Sequence, residues 1–217
     1  MYKNEFDNYL KQNKKFKSYM FYGQSMFLVE QYSLAIAQSF GENDEIEKLY
    51  FEEYNFKYAK DKLLQSSLFS SNNILLIKVE KKLPKKEVDT LIEACNANPD
   101  STLIFACLGD GDFKTMESSF SLKTNSVAVR FFQPTDTEAI RFLEYEAKLL
   151  EMQYEISALN HLYFMHKNDL ALCVNDLKKL AILDQLITVN LVDANCFGIG
   201  VINFEDLGVD KLYVDEA

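Results

Sequence analysis

Tyr19-Met-Phe-Tyr-Gly-Gln-Ser-Met-Phe-Leu-Val-Glu30 passes from a short apolar run, through a single glycine, into an amphipathic stretch, which reads as a strand, a tight turn and a helix. Over Met26 to Phe40 the side chains of Leu28, Tyr32, Ala35 and Ile36 fall on one helical face, and Gly41 supplies a stop. Four more apolar runs follow: Lys48-Leu-Tyr-Phe51, Ile74-Leu-Leu-Ile-Lys-Val79, Thr102-Leu-Ile-Phe-Ala-Cys107 and Val127-Ala-Val-Arg-Phe-Phe132. Amphipathic segments at Lys57 to Ser67 and Lys85 to Ala97 stand between them, long enough for crossovers between parallel strands. Residues 1–133 are therefore predicted as an α/β domain, a parallel five-stranded sheet with flanking helices.

The pattern changes at Gln133-Pro134-Thr135-Asp136, where proline fixes an extended backbone and Thr135 or Asp136 is placed to cap a helix. Downstream, Ile140, Leu143, Ala147 and Leu150 form one stripe, Ile156, Leu159 and Tyr163 a second, and Leu170, Val174, Leu177 and Ala181 a third. A small three-helix domain over 134–197 is expected, with Thr188-Val-Asn-Leu-Val-Asp193 as a short capped helix near its end. Residues 198–217 contain a new amphipathic start, Gly198-Ile-Gly-Val-Ile-Asn-Phe-Glu-Asp-Leu207, and the chain stops ten residues later. We expect truncation there, within a linker and the beginning of a further domain.

Composition narrows the function classes. A chain of 217 residues that is 48% hydrophobic buries a full core, and only seven Gly and three Pro point to long regular elements. No apolar stretch approaches the roughly 18 residues that cross a bilayer, and Met1-Tyr-Lys-Asn-Glu-Phe-Asp7 lacks the layout of a signal peptide, so a cytoplasmic protein without a membrane partner is expected. Cys95, Cys107, Cys173 and Cys196 lie far apart among apolar residues and read as buried thiols. A net charge of −10 argues against a stand-alone nucleic-acid binder, and Arg130 and Arg141 are the only arginines available for phosphate.

Several chemistries lack their residues. A phosphate loop needs Gly-x-x-x-x-Gly-Lys-Ser/Thr between first strand and first helix; this chain has Gly23, Gln24 and Ser25 there, with no second glycine and no lysine. The third strand ends in Glu80-Lys81 instead of paired acids, so neither ATP hydrolysis nor a bound nucleotide cofactor is expected. His161 and His166, five apart, would be turned about 140° from one another on a helix and cannot share a metal. Gly109-Asp-Gly-Asp-Phe-Lys114 has a lysine where a calcium loop needs oxygen, and reads as a turn. No nucleophile elbow is present, so no catalytic residue and no metal site are predicted. The densest basic patch, Lys78, Lys81, Lys82, Lys85 and Lys86, has no interleaved aromatics and reads as a solvated strand end before a DNA contact.

Leu63-Leu-Gln-Ser-Ser-Leu-Phe-Ser-Ser-Asn-Asn-Ile-Leu-Leu-Ile77 is the segment with most to say. A helix running into Leu68-Phe69, then a small polar turn, then a buried strand resembles the clamp-binding element of the bacterial DNA polymerase III delta subunit. In the plainer reading Leu68 and Phe69 pack beneath the turn. The order of other motifs agrees with the resemblance: Tyr19 to Glu30 looks like that family's first strand, degenerate phosphate loop and first helix, and Asn168-Asp-Leu-Ala-Leu-Cys-Val-Asn-Asp-Leu-Lys-Lys-Leu180 is similar to a family helix, with Asp176 where glutamate is usual. Asn203-Phe-Glu-Asp-Leu207 approximates the start of a third domain.

The resemblance implies an AAA+-like sheet domain, a three-helix lid and a helical collar, the last missing here. It implies a non-catalytic subunit of the polymerase III holoenzyme that grips and opens the beta sliding clamp, with Leu68 and Phe69 as apolar anchors, Gln65 as a polar contact, and Leu64 and Ser70 at the rim. Its partners would be the beta sliding clamp, the delta-prime and gamma/tau loader subunits and, indirectly, primer-template DNA. Other readings stay open. A loader subunit of delta-prime type would show a zinc module or phosphate loop, an enzyme on a parallel sheet would bind a ligand at the strands' carboxyl ends, and an unrelated α/β interaction module would have no ring-shaped partner.

Overall fold

The computed structural model describes residues 1–65, 72–109 and 111–198. The chain divides into two compact units, Met1–Gln133 and Pro134–Ala217. In chain order the first contains α1 (Lys3–Lys11), β1 (Ser18–Gly23), α2 (Met26–Gln38), β2 (Ile46–Tyr50), α3 (Phe56–Leu64), β3 (Asn73–Val79), α4 (Lys85–Ala97), β4 (Ser101–Cys107), α5 (Lys114–Glu117) and β5 (Ser126–Phe131). The strands form one five-stranded sheet in the order β2-β3-β4-β1-β5, and each neighbouring pair is parallel.

Strands buried on both faces read as unbroken apolar runs, and the central strand and one neighbour do so: every residue of β4 is buried, and in β3 only Lys78 is not. The two faces take alternate residues. Met20, Leu75, Ile77, Leu103 and Phe105 face a core closed by Ala59 and Leu63 of α3 and by Val88, Leu91 and Cys95 of α4. On the other face Tyr19 and Phe21 of β1 enter an aromatic layer in which Phe6 of α1 meets Phe21 at 5.5 Å and Tyr19 at 6.3 Å, while Tyr32 of α2 lies 4.8 Å from Phe131. No element is predicted from the sequence before Tyr19. α1 is nonetheless helical, because Phe6 is fully buried in that layer and Met1 and Tyr2 extend along β5, with Arg130 N–H donating to Met1 O at 3.0 Å.

One predicted helix is shorter than expected. The segment assigned to Lys57–Ser67 is helical over Phe56–Leu64, and Gln65 turns to extended backbone (φ −73, ψ 122). Polar side chains take the last carbonyls of the helix, as described below.

In the second unit the three apolar stripes form α6 (Asp136–Leu149), α7 (Ile156–Met165) and α8 (Leu170–Ala181), and the Thr188-capped segment adds α9 (Val189–Asn195). A capping box of Thr135 and Glu138 opens α6, and Asp169 Oδ1 accepts from Ala171 N–H at 2.8 Å to open α8. Leu143, Ala147, Leu159, Leu162, Cys173 and Leu177 are fully buried between these helices. No helix among the described residues is long and apolar enough to cross a membrane.

Candidate functional site

The turn from β1 to α2 consists of Gln24 and Ser25, and three of its polar groups bond within the protein. Gly23 has φ +138, and a Cβ there would lie 2.0 Å from Phe131 O, so only glycine fits against β5. Gln24 N–H donates to Phe131 O at 2.8 Å, Gln24 Oε1 accepts from Gln133 N–H at 3.4 Å, and Ser25 Oγ accepts from Leu28 N–H at 3.4 Å as the cap of α2. A phosphate cradle needs such donors free and converging on one point. Here the Gln24 N–H, one such donor, is already given to Phe131 O.

The basic patch beyond β3 is partly paired. Lys78 Nζ lies 2.7 Å from Glu30 Oε1 and 5.1 Å over the Tyr50 ring, and Lys85 Nζ lies 3.2 Å from Asp89. Lys81, Lys82 and Lys86 are exposed. Gly109 packs over this corner, where a Cβ would meet Glu80 O at 2.0 Å; Asp112 Oδ1 accepts from Lys114 N–H at 3.1 Å in the turn that follows, and Asp110 lies outside the described residues. Among the described residues no group of three or more His, Cys, Asp or Glu side chains is arranged for a metal.

The end of α3 is held by side chains of other elements. Ser101 Oγ donates to Leu63 O at 2.7 Å, Asn73 Nδ2 to Lys62 O at 2.6 Å, and Asn98 Nδ2 to Leu63 O at 3.0 Å and Gln65 O at 3.1 Å. Asn73 Nδ2 also reaches Ser101 Oγ at 3.0 Å and Gln65 O at 3.5 Å. Helices end with carbonyls that lack partners within the helix. Here residues of β3, β4 and the turn between α4 and β4 supply them, which stops the helix at Leu64. The outer face of α3 carries Tyr58, whose hydroxyl donates to Glu47 at 2.7 Å, and Lys62, paired with Glu47 at 3.4 Å; Leu64 beside them is 46% exposed.

The histidines are separate. His161 Nε2 pairs with Asp193 at 2.6 Å near the surface, whereas His166 Nε2 pairs with Asp176 at 2.7 Å in the interior of the second unit. Burial pushes the Asp176 carboxyl up, but hydrogen bonds from Lys179, at 2.6 Å, and His166 outweigh it and leave its pKa below the ordinary carboxylate value. The four cysteines are buried and free; burial above all, with Asp169 and Asp176 nearby, pushes the Cys173 thiol up to about 12.

Of the residues singled out for partner binding, Leu64 is exposed at the end of α3 and Gln65 follows it as the exposed helix cap. Leu68, Phe69 and Ser70 lie outside the described residues. Sequence reasoning missed Asn73, Asn98 and Ser101. The available signal was slight: Asn73 stands directly before an apolar run, and Asn98 between a helix and Pro99.

A family model described as DNA polymerase III, delta subunit, matches residues 19–132, and one described as a middle domain matches residues 135–194. A protein of Helicobacter pylori strain J99 is 28% identical over 207 residues, which cover 87% of this chain and 61% of that protein. Among solved structures, the Bacillus subtilis DNA clamp loader delta protein superposes with a TM-score of 0.62 at 15% identity, covering 90% of this chain and 62% of that one. The Thermotoga maritima RuvB Holliday junction branch migration motor does so with a TM-score of 0.52 at 12% identity, over 87% and 64%. At these identities the structural likeness is one of fold, and it is AAA+-like. The chain spans about three-fifths of the length of these relatives.

Proposed function

We propose a clamp-gripping role from one premise, that this chain belongs to the DNA polymerase III delta-subunit family. In this reading the segment that follows Gln65 is the binding element. Leu68 and Phe69 enter an apolar pocket on the beta sliding clamp, Gln65 contributes a polar contact, and Leu64 and Ser70 form the rim. The observation that carries the reading is the closure of α3: its last carbonyls are tied to the sheet by Asn73, Asn98 and Ser101, and an exposed leucine stands at the point of departure.

Holding a closed ring does not open it. A protein shifts a ring toward its opened form only by binding that form more tightly, since equal affinity moves no equilibrium. The proposed role is therefore that of a wrench with no chemistry of its own, consistent with a β1–α2 turn at Gly23, Gln24 and Ser25 that carries neither the second glycine nor the lysine of a phosphate loop. Hydrolysis would come from the gamma/tau subunits of a loader that also contains delta-prime, and contact with primer-template DNA would be indirect.

Mixing the chain with the clamp from its own genome and resolving the mixture by size exclusion tests the reading. A co-eluting complex is the expected result. Separate elution of the two proteins at concentrations of tens of micromolar would overturn it.

A further inference from the structure

We infer that Asn98, acting with Asn73 and Ser101, is a positioning residue that fixes where the clamp-binding segment leaves the fold. The inference rests on the clamp-binding reading above, and it deepens that reading by assigning a role to three side chains that never touch the partner.

The three come from distant parts of the chain and converge on one point. Asn73 opens β3, Ser101 opens β4, and Asn98 caps the end of α4, yet all three side chains reach the carbonyls of Lys62, Leu63 and Gln65. Two features go beyond what a helix end requires. The Gln65 carbonyl belongs to the extended residue after α3, and it receives both amides, from Asn98 at 3.1 Å and Asn73 at 3.5 Å. Asn73 is at the same time the fixed far end of the segment, since its own N–H donates to Asp100 O at 2.9 Å. The same polar cluster thus grips the chain immediately before residue 66 and immediately after residue 72.

Asn98 is itself held in place. Its Oδ1 accepts from Asp100 N–H at 3.1 Å, and its carbonyl accepts from Lys17 Nζ at 3.0 Å and Ser101 N–H at 3.2 Å. Its side chain therefore has no freedom to follow a wandering helix end, and at 6% exposure it is shielded from competing water. Fixing both ends of a recognition segment lowers the ordering cost that binding must otherwise meet, so the gain appears in affinity for the partner.

The test compares full-length Asn98→Ala, Asn98→Asp and Ser101→Ala with Leu91→Ala, a core deletion on α4 that destabilises the unit without touching the cluster. Each is assayed for clamp affinity well below its unfolding temperature, and for amide hydrogen exchange at Leu63, Leu64 and Gln65. Asn98→Asp keeps shape and acceptor but loses both donors and sets a carboxylate oxygen against the carbonyls of Leu63 and Gln65, so it should weaken binding at least as much as Asn98→Ala. We expect the clamp Kd to rise about tenfold in the Asn98 variants and about threefold in Ser101→Ala, with faster exchange at the three amides, and no change beyond twofold in Leu91→Ala. If the Asn98 variants do not fold, Ser101→Ala decides. Wild-type affinity in Asn98→Ala and Ser101→Ala, while Leu68→Ala with Phe69→Ala abolishes binding, would overturn the positioning role alone. Unchanged affinity in the anchor double variant would instead refute the anchor assignment, and the exchange rates would still report whether the cluster immobilises the end of α3.

Discussion

Replacing Gly23 by alanine probes the tight packing at the turn between β1 and α2. Gly23 sits at φ +138, where a side chain costs about 1–3 kcal/mol, and the new Cβ would fall 2.0 Å from Phe131 O. Relief requires parting β1 from β5 at their ends, which sacrifices the Gln24 N–H to Phe131 O bond at 2.8 Å, worth about 1 kcal/mol. Together these give a loss of about 2–4 kcal/mol, which for a domain of this size lowers Tm by roughly 10 °C. Thermal unfolding followed by circular dichroism measures it. Gly111→Ala is the control, since the nearest atom to its Cβ would be a Phe113 ring carbon at 3.6 Å, an ordinary contact, and its effect should stay within about 0.5 kcal/mol. A Gly23→Ala protein that melts within a degree of wild type would refute the reasoning, because it would mean that the strand end does not lie against Phe131.

Two further outcomes follow from named groups. Asp176 has a folded pKa below its unfolded value of about 3.9, so the stability it contributes is fully present above that pH and is lost as pH falls through the folded pKa. Asp176→Asn should cost about 2 kcal/mol at pH 7, for a charge-assisted bond lost, and should flatten the fall in stability between pH 4 and the acid limit; an acid limb as steep as that of wild type would contradict this. Calorimetry with ATP and magnesium should show no saturable heat, since the β1–α2 turn lacks the second glycine and the lysine of a phosphate loop and its Gln24 N–H is already given to Phe131 O; binding in the micromolar range would contradict it.

The sequence made the sheet legible because parallel strands buried on both faces need unbroken apolar runs, and Ile74–Val79 and Thr102–Cys107 provide them. Its helices were legible where apolar spacing and a cap coincide, as at Thr135 and Asp169. α1 escaped because Phe6 is its single buried residue, and its partners Tyr19 and Phe21 lie beyond the reach of local periodicity. The end of α3 escaped for the same reason: the donors that stop it at Leu64 come from Asn73, Asn98 and Ser101. Strand order likewise depends on contacts that no local pattern carries. At the candidate site the motif was legible as composition, a helix followed by Leu-Phe and small polar residues, whereas the polar cluster beneath it required the fold.

The most direct test of the clamp-gripping role is the equilibrium Kd of the chain for its cognate clamp, measured for wild type and for Leu68→Ala combined with Phe69→Ala. Burying each of these side chains is worth about 1.5–3 kcal/mol, so the double variant should bind on the order of a hundredfold more weakly or worse while its circular dichroism stays native. Equal Kd values for the two proteins would contradict the account.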